Sequence, residues 1–252
     1  MTDLSDDELE RYARHIVLRE VGGRGQARLK AARVAVVGAG GLGSPCLLYL
    51  AAAGVGQLAI IDDDEVALSN LQRQIMFTTA DTGRGKTETA VERLAALNPH
   101  VALRAVATRL DAGNAEALLA GHGVIADGCD SFATRLAVSD AATRLGIPLV
   151  SGALGPFDGQ IATFKGHDPA LPCYRCLVGA AADAPGQSCA DTGIIGALAG
   201  IIGAMMALEV IREITGFGDS LAGRLLLYDA MGARMRTVRL RKDPGCSCGS
   251  AG

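Results

Sequence analysis

The sequence predicts an α/β fold: a doubly wound, mainly parallel sheet that antiparallel strands extend late in the chain. Three observations lead there. Residues 33–64, "RVAVVGAGGLGSPCLLYLAAAGVGQLAIIDDD", join a β-branched run to a glycine turn, an Ala/Leu-rich helical stretch and a second apolar run ending in Asp62. Downstream, an alternating strand-like stretch at 101–107 and strand segments at 124–126 and 149–151 are interleaved with helical patterns at 86–97, 114–120 and 131–145. Strands that alternate with helices return parallel to one another. The pattern then changes to three strand-like segments, 159–166, 223–230 and 233–240, the last two joined by a Met-Gly turn at 231–232.

Taken in order, residues 4–20 predict one helix, with Ser5 as its N-cap and acids in its first turn. Gly22, Gly23 and Gly25 are expected to break it ahead of the first strand. Gly38, Gly40 and Gly43 then follow that strand directly, and a helix over about 42–53 follows them. Glycines here let the backbone turn tightly and approach a phosphate, which meets free N–H groups at a helix N-terminus. Asp62, about twenty residues on, is placed to accept from ribose hydroxyls. Strand, turn, helix and acid-tipped strand make a Rossmann-like nucleotide-binding unit. Ser69 and Asn70 read as a turn, and Asn98-Pro99 closes the helix at 86–97. Residues 179–186, rich in Ala, Gly and Pro, offer little side chain to pack and are expected to form a mobile loop.

Composition narrows the function classes. In 252 residues, 49% apolar and 20% charged content fits a globular core and excludes a disordered chain. A net charge of −3 gives no support for a nucleic-acid partner. Residues 192–208 are uncharged but fall short of a membrane span and run into Glu209, Arg212 and Glu213. A buried helix packed closely through Gly196-x-x-x-Gly200 is expected there, and no membrane association. The acidic N-terminus shows no export or transit signal. Seven cysteines therefore fit a reducing cytoplasm, as metal ligands or working thiols. The chain reads as a single domain over 1–252, with a nucleotide-binding half at about 30–152 and a C-terminal half at about 153–252.

Basic residues beyond the glycine turn bear on which nucleotide binds. A dinucleotide needs the turn and Asp62 but gains nothing evident from Arg73 and Lys86. A triphosphate does, because its concentrated charge needs cations. Asp130 follows a strand at the end of the sheet where such folds bind ligands, and a carboxylate there can hold Mg²⁺. With Asp62 and Asp64, these residues favour ATP. An NAD-dependent oxidoreductase is the alternative of another class, and no acid–base pair for hydride transfer stands out.

The segments "RYARHIVL", "GAGGLGS", "SNLQRQIMF", "GRGK", "CYRC" and "SCADTG", in this order and spacing, resemble the bacterial relatives of ubiquitin-activating enzymes. The resemblance is nearest to the adenylyltransferases serving molybdopterin synthase and the thiamine pathway, and it covers nearly the whole chain. It implies Mg-ATP-dependent adenylation of the C-terminal Gly-Gly carboxylate of a ubiquitin-like sulfur-carrier protein, with release of pyrophosphate. The small subunit of molybdopterin synthase, and so molybdenum cofactor biosynthesis, is the first expectation; a thiamine-pathway carrier or a peptide is the second. By matching positions, the resemblance assigns Gly41 to the phosphate loop and Asp62 to the ribose. It gives Asn70, Arg73 and Lys86 to the phosphates and Asp130 to magnesium. Arg14 matches an arginine supplied by the second subunit of a homodimer.

Cys173-x-x-Cys176 has the spacing of a metal hairpin. The resemblance pairs it with Cys246 and Cys248 around structural Zn²⁺, although Cys246-x-Cys248 is one residue tighter than the family's pair. Cys189 matches the conjugating cysteine of the wider superfamily and is a candidate for thiol chemistry. Ser131 departs from the asparagine that usually follows the aspartate. Cys46 and Cys129 are expected to be small core residues. The sulfur donor is expected to be a separate protein.

Overall fold

The computed structural model describes residues 4–179 and 193–246. Eight strands form one sheet in the order β3-β2-β1-β4-β5-β6-β7-β8. The strands are β1 (Arg33–Val37), β2 (Gln57–Ile61), β3 (Ala102–Val106), β4 (Val124–Asp127), β5 (Leu149–Leu154), β6 (Asp158–Phe164), β7 (Arg224–Asp229) and β8 (Arg234–Arg239). The first five pair in parallel, and β6 to β8 add antiparallel. This is the Rossmann-like α/β fold that the alternation implied, with its late antiparallel extension.

Alternation along the strands explains the layering. Val34, Val36, Leu58, Ile60 and Ile161 face one side, against Leu47 and Leu50 of α4 (Gly43–Ala52) and Leu198, Ile202 and Met206 of α9 (Gly196–Thr215). Ala35, Val37, Ile61 and Ile125 face the other, against Leu119 of α6 (Ala115–Leu119) and Val138 and Ala141 of α7 (Phe132–Leu145). Burial on both faces is why β1, β2 and β4 read as continuous apolar runs, while edge strand β3 is largely exposed. Beyond the sheet's edge in this packing, β8 holds Arg234, Arg236 and Arg239 exposed to solvent.

The N-terminal expectation needs correction. Ser5 does cap a helix, α1 (Asp6–Arg11), through a capping box with Glu8. The helix stops at Tyr12, however, and a separate turn, α2 (Ala13–Ile16), follows. Tyr12 is buried, its hydroxyl accepting from Asn98 Nδ2 at 2.8 Å, and that anchor redirects the chain. The glycines expected to break helix instead lie inside α3 (Gly22–Ala31). Gly25 is there for close packing: a Cβ would stand 2.8 Å from Val21 Cγ1 and 3.6 Å from Thr215 Cγ2. Tertiary contact overrides the weak helix propensity. The helix of α5 (Lys86–Leu97) ends at Asn98, as the Asn-Pro pair implied. A short helix, α8 (Tyr174–Val178), precedes residue 179. The expected mobile loop at 179–186 and Cys189 and Cys248 lie, apart from Gly179, outside the described residues.

Helix α9 packs closely, but not through the glycine pair expected. A Cβ at Gly203 would meet Leu42 O and Pro45 Cγ, each at 2.4 Å, and one at Gly196 would meet Gln72 O at 2.0 Å. Gly200 faces open space, with nothing within 4 Å. The seam therefore runs through Gly196 and Gly203, within the chain. Gly203→Ala should destabilise by about 1–3 kcal/mol through overpacking. Gly200→Ala should be neutral or stabilise by up to about 1 kcal/mol, since it gains helix propensity at no steric cost. Urea midpoints of the two variants check this.

Candidate active site

The C-terminal ends of the parallel strands open into a cleft of about 330 Å³. It sits where the strand order reverses between β1 and β4, the place at which open α/β sheets bind ligands. Gly38, Gly40, Gly41, Asp62, Asp64, Asn70, Arg73, Lys86 and Asp130 all line it. Two residues from the sequence reading do not. Gly43, the first residue of α4, lies beneath the loop, where a Cβ would fall 1.8 Å from the Gly38 carbonyl oxygen. Gly38 itself has φ +87° and lies against the backbone of Gly128 and Cys129, at the end of β4. Arg14 is exposed on α2 and does not line the cleft of its own chain.

Asp62 stands at the tip of β2 with its side chain 9% exposed. Its Oδ2 accepts from Ala39 N at 2.7 Å, which ties the glycine loop to β2, and Oδ1 accepts from Asp64 N at 2.9 Å. Burial raises its pKa above the ordinary carboxylate value, outweighing Lys86 and the two N–H donors. Lys86 begins α5, and its ammonium is nearly buried, 2.6 Å from Asp64 Oδ2 and 3.9 Å from Asp62 Oδ1. Its own N–H donates to Asp64 O at 3.0 Å. A cation held between carboxylates at a glycine loop is a ready counter-charge for phosphate.

The loop ahead of Lys86 is pinned by Asp81. This buried carboxylate accepts from Arg93 Nη2 at 2.7 Å and from Thr78 N and Oγ1, each at 2.8 Å. Arg93 beside it holds its carboxyl well below the usual range. Arg73 donates to Ser69 O at 3.2 Å while its stem lies over Gly41.

Two residues in the cleft wall went unread in the sequence. Gln74 is buried beside Gly40, and its Oε1 is the one buried side-chain N or O without a hydrogen-bond partner among the described residues. An orphaned acceptor against a phosphate-type loop fits a site completed by a ligand. Arg135 is the other, 8% exposed and 3.6 Å from buried Asp127. Gln74 was visible one place after Arg73; Arg135 looked like an ordinary helix arginine. Cys129, expected in the core, is only partly buried and lines the cleft. Burial nonetheless raises its thiol pKa well above normal, with Asp127 adding to the effect. That shift disfavours the thiolate, which is the nucleophilic form.

Away from the cleft, Cys173 Sγ lies 3.8 Å from Cys176 Sγ and 3.6 Å from Cys246 Sγ. All three sulfurs fall within 4.8 Å of one another. Zn–S bonds of about 2.3 Å in a tetrahedron set sulfurs about 3.8 Å apart, so the donor set suits zinc.

The comparisons agree with this geometry. The ThiF family matches residues 12–248. The chain is 47% identical to the sulfur carrier protein adenylyltransferase of Thermus thermophilus, over 96% of this chain and 92% of that one. It is 41% identical to the molybdopterin-synthase adenylyltransferase of Escherichia coli, over 99% of this chain and 100% of that one. Among solved structures, the crystal structure of Escherichia coli MccB with ATP superposes with a TM-score of 0.82 at 20% identity, over 94% of this chain and 74% of that one. That likeness shows the fold. The family match spans most of the chain and the relatives align over nearly their whole length, so the chain belongs to the ThiF family.

Proposed function

We propose that the chain activates the C-terminal glycine carboxylate of a ubiquitin-like sulfur-carrier protein by adenylation with Mg-ATP, releasing pyrophosphate. The observation that carries this reading is the convergence of Asp62, Asn70, Arg73, Lys86 and Asp130 on the glycine loop within one cleft. The names of the Thermus and Escherichia relatives support the same chemistry, and family membership displaces the oxidoreductase alternative. The carrier of molybdopterin synthase is the first choice, hence molybdenum cofactor biosynthesis. A thiamine-pathway carrier or a peptide is the second reading, since the name of the Thermus relative specifies no particular carrier.

The mechanism needs no enzyme nucleophile, since the carrier carboxylate is ionised at neutral pH and attacks the α-phosphate itself. The chain's task is alignment and charge. Asp62 accepts from the ribose, the N–H groups around Gly40 and Gly41 face the phosphates, and Asn70, Arg73 and Lys86 offset the charge of the departing pyrophosphate. Asp130, which lines the same cleft as Asp62 and Asp64, would hold magnesium, which adds positive charge against the phosphate oxygens. Cys173, Cys176 and Cys246, with Cys248 beyond the described residues, would hold a structural zinc that ties the C-terminal tail to α8. We read the chain as one domain, working in the cytoplasm, where thiols stay reduced; no described helix is long and apolar enough to cross a membrane. A separate protein would donate sulfur.

A homodimer follows from the same reading. Arg14 is exposed beside Val17 and Leu18, themselves 74% and 49% exposed, and α9 carries exposed Ile201 and Leu208. An arginine away from its own cleft, on an apolar surface, suits delivery to a partner's site. Mixing inactive Arg14→Ala chains with inactive Lys86→Ala chains should restore part of the activity, because a mixed dimer holds one complete site. Demonstrated subunit exchange without recovery would count against Arg14 acting in trans.

The central test is carrier-dependent ATP–pyrophosphate exchange, run with each candidate carrier and with its last glycine deleted. Lys86→Ala and Asp130→Ala should each lower exchange by about 10²–10³-fold. Cys189→Ser should stay within about threefold of the parent, roughly 0.6 kcal/mol, because no thiol enters the adenylation step. A large loss in Cys189→Ser with the fold intact would show that the thiol takes part in activation. For the metal, elemental analysis should find about one zinc per chain. Cys176→Ser should lose that zinc and lower the melting temperature.

A further inference from the structure

The strand-to-helix turn that carries Asp130 is held from both sides, while the Asp130 side chain makes no hydrogen bond or ion pair among the described residues. On the near side, Gly128 N donates to Val37 O at 2.9 Å and Cys129 N donates to Asp127 Oδ1 at 3.1 Å. On the far side, Ser131 caps α7, its Oγ accepting from Thr134 N and its carbonyl accepting from Arg135 N at 3.0 Å. The Arg135 guanidinium reaches back under the turn. One arm donates to the Cys129 carbonyl, the residue immediately before Asp130. The other donates to Gly152 O at 2.7 Å and to Ser151 Oγ at 3.3 Å, both on β5. Ser151 in turn donates to Asp127 Oδ2 at 3.0 Å, so the cation, the carboxylate and the hydroxyl form one buried network joining β4, β5 and α7. Asp130 itself is exposed.

We propose that Arg135 is a positioning residue for Asp130, fixing the turn so that its exposed carboxylate is presented to the divalent cation of the nucleotide. The inference rests on the reading of Asp130 as a magnesium ligand. Its physical basis is that the planar guanidinium can serve a carbonyl of the turn and one of β5 at once, which a lysine ammonium on a flexible stem does less well. Charge-assisted bonds to a buried backbone carbonyl are among the stronger that a protein makes. A turn so fixed spends no ordering entropy when the cation arrives. Groups that orient a metal ligand without touching the metal typically set affinity by about 10–100-fold.

The test compares Arg135→Met, Arg135→Lys and Asp130→Asn with the parent chain. Two readouts are used: amide hydrogen exchange of residues 128–131 without nucleotide, and Mn²⁺ affinity by paramagnetic resonance in the presence of ATP. The magnesium midpoint of ATP–pyrophosphate exchange accompanies them. In Arg135→Met, amide exchange in the turn should quicken about tenfold or more, and Mn²⁺ affinity should fall about 10–100-fold. Excess magnesium should restore part of the activity. Arg135→Lys keeps a cation beside Asp127 and should fall between the two; it decides the matter if the methionine variant does not fold. A folded Arg135 variant with the parent's turn protection and Mn²⁺ affinity overturns the proposal. If Asp130→Asn leaves Mn²⁺ affinity unchanged, the reading of Asp130 as a ligand fails, and the positioning role fails with it. Loss of Mn²⁺ affinity in Asp130→Asn but in neither Arg135 variant overturns the positioning role alone.

Discussion

The close approach between Gly43 and the Gly38 carbonyl is the constraint on which the rest of the molecule depends. No side chain fits there, since a Cβ would lie 1.8 Å from the oxygen. With that contact made, α4 starts directly beneath the loop, and Ser44 N ties back to Gly40 O at 2.9 Å. Gly38, in the left-handed region, then turns the chain against the end of β4. Asp62 closes the arrangement by binding the N–H of Ala39. A larger residue at either glycine would push the loop off β4 and separate Asp62 from the turn that carries Asp130. Nucleotide chemistry and sheet packing thus share one short contact.

The residues of the cleft come from segments far apart in sequence, and each is held by its own local device. Lys86 is seated by the Asp81 loop, Arg73 by Ser69 and by packing over Gly41, and the Asp130 turn by the α7 cap and Arg135. Preorganisation of this sort is what adenylation asks for, because little covalent work is left to the protein. The three cysteines behave alike at larger range: Cys246 meets the Cys173/Cys176 hairpin from the far end of the chain.

Much of this was legible before any coordinates. Periodicity located all eight strands, the buried ones by apolar runs and the exposed edge strands β3 and β8 by alternation. The motif residues at the cleft were legible because phosphate chemistry restricts residue type. The failures share a cause. Tyr12 splits the first helix through a bond to Asn98, and Gly25 sits in a helix because Val21 and Thr215 crowd it. Gly200 looked like a packing residue by spacing and faces open space, whereas Gly203 does the packing. Arg135 and Gln74 were missed because nothing local separates a buried arginine or glutamine from a solvated one. Long-range contacts decided each case, and a one-dimensional pattern does not contain them.

The arginines of β8 have a consequence for assembly. An open sheet ends in a strand whose outer N–H and C=O groups invite another strand to join, and identical copies are always at hand. Zipping β8 onto β8 of a second copy would bring Arg234, Arg236 and Arg239 of both chains along one seam, like charge against like. The charged edge thereby opposes pairing of β8 with its own copy. Pairing of two copies is steered away from β8, towards other surfaces of the chain.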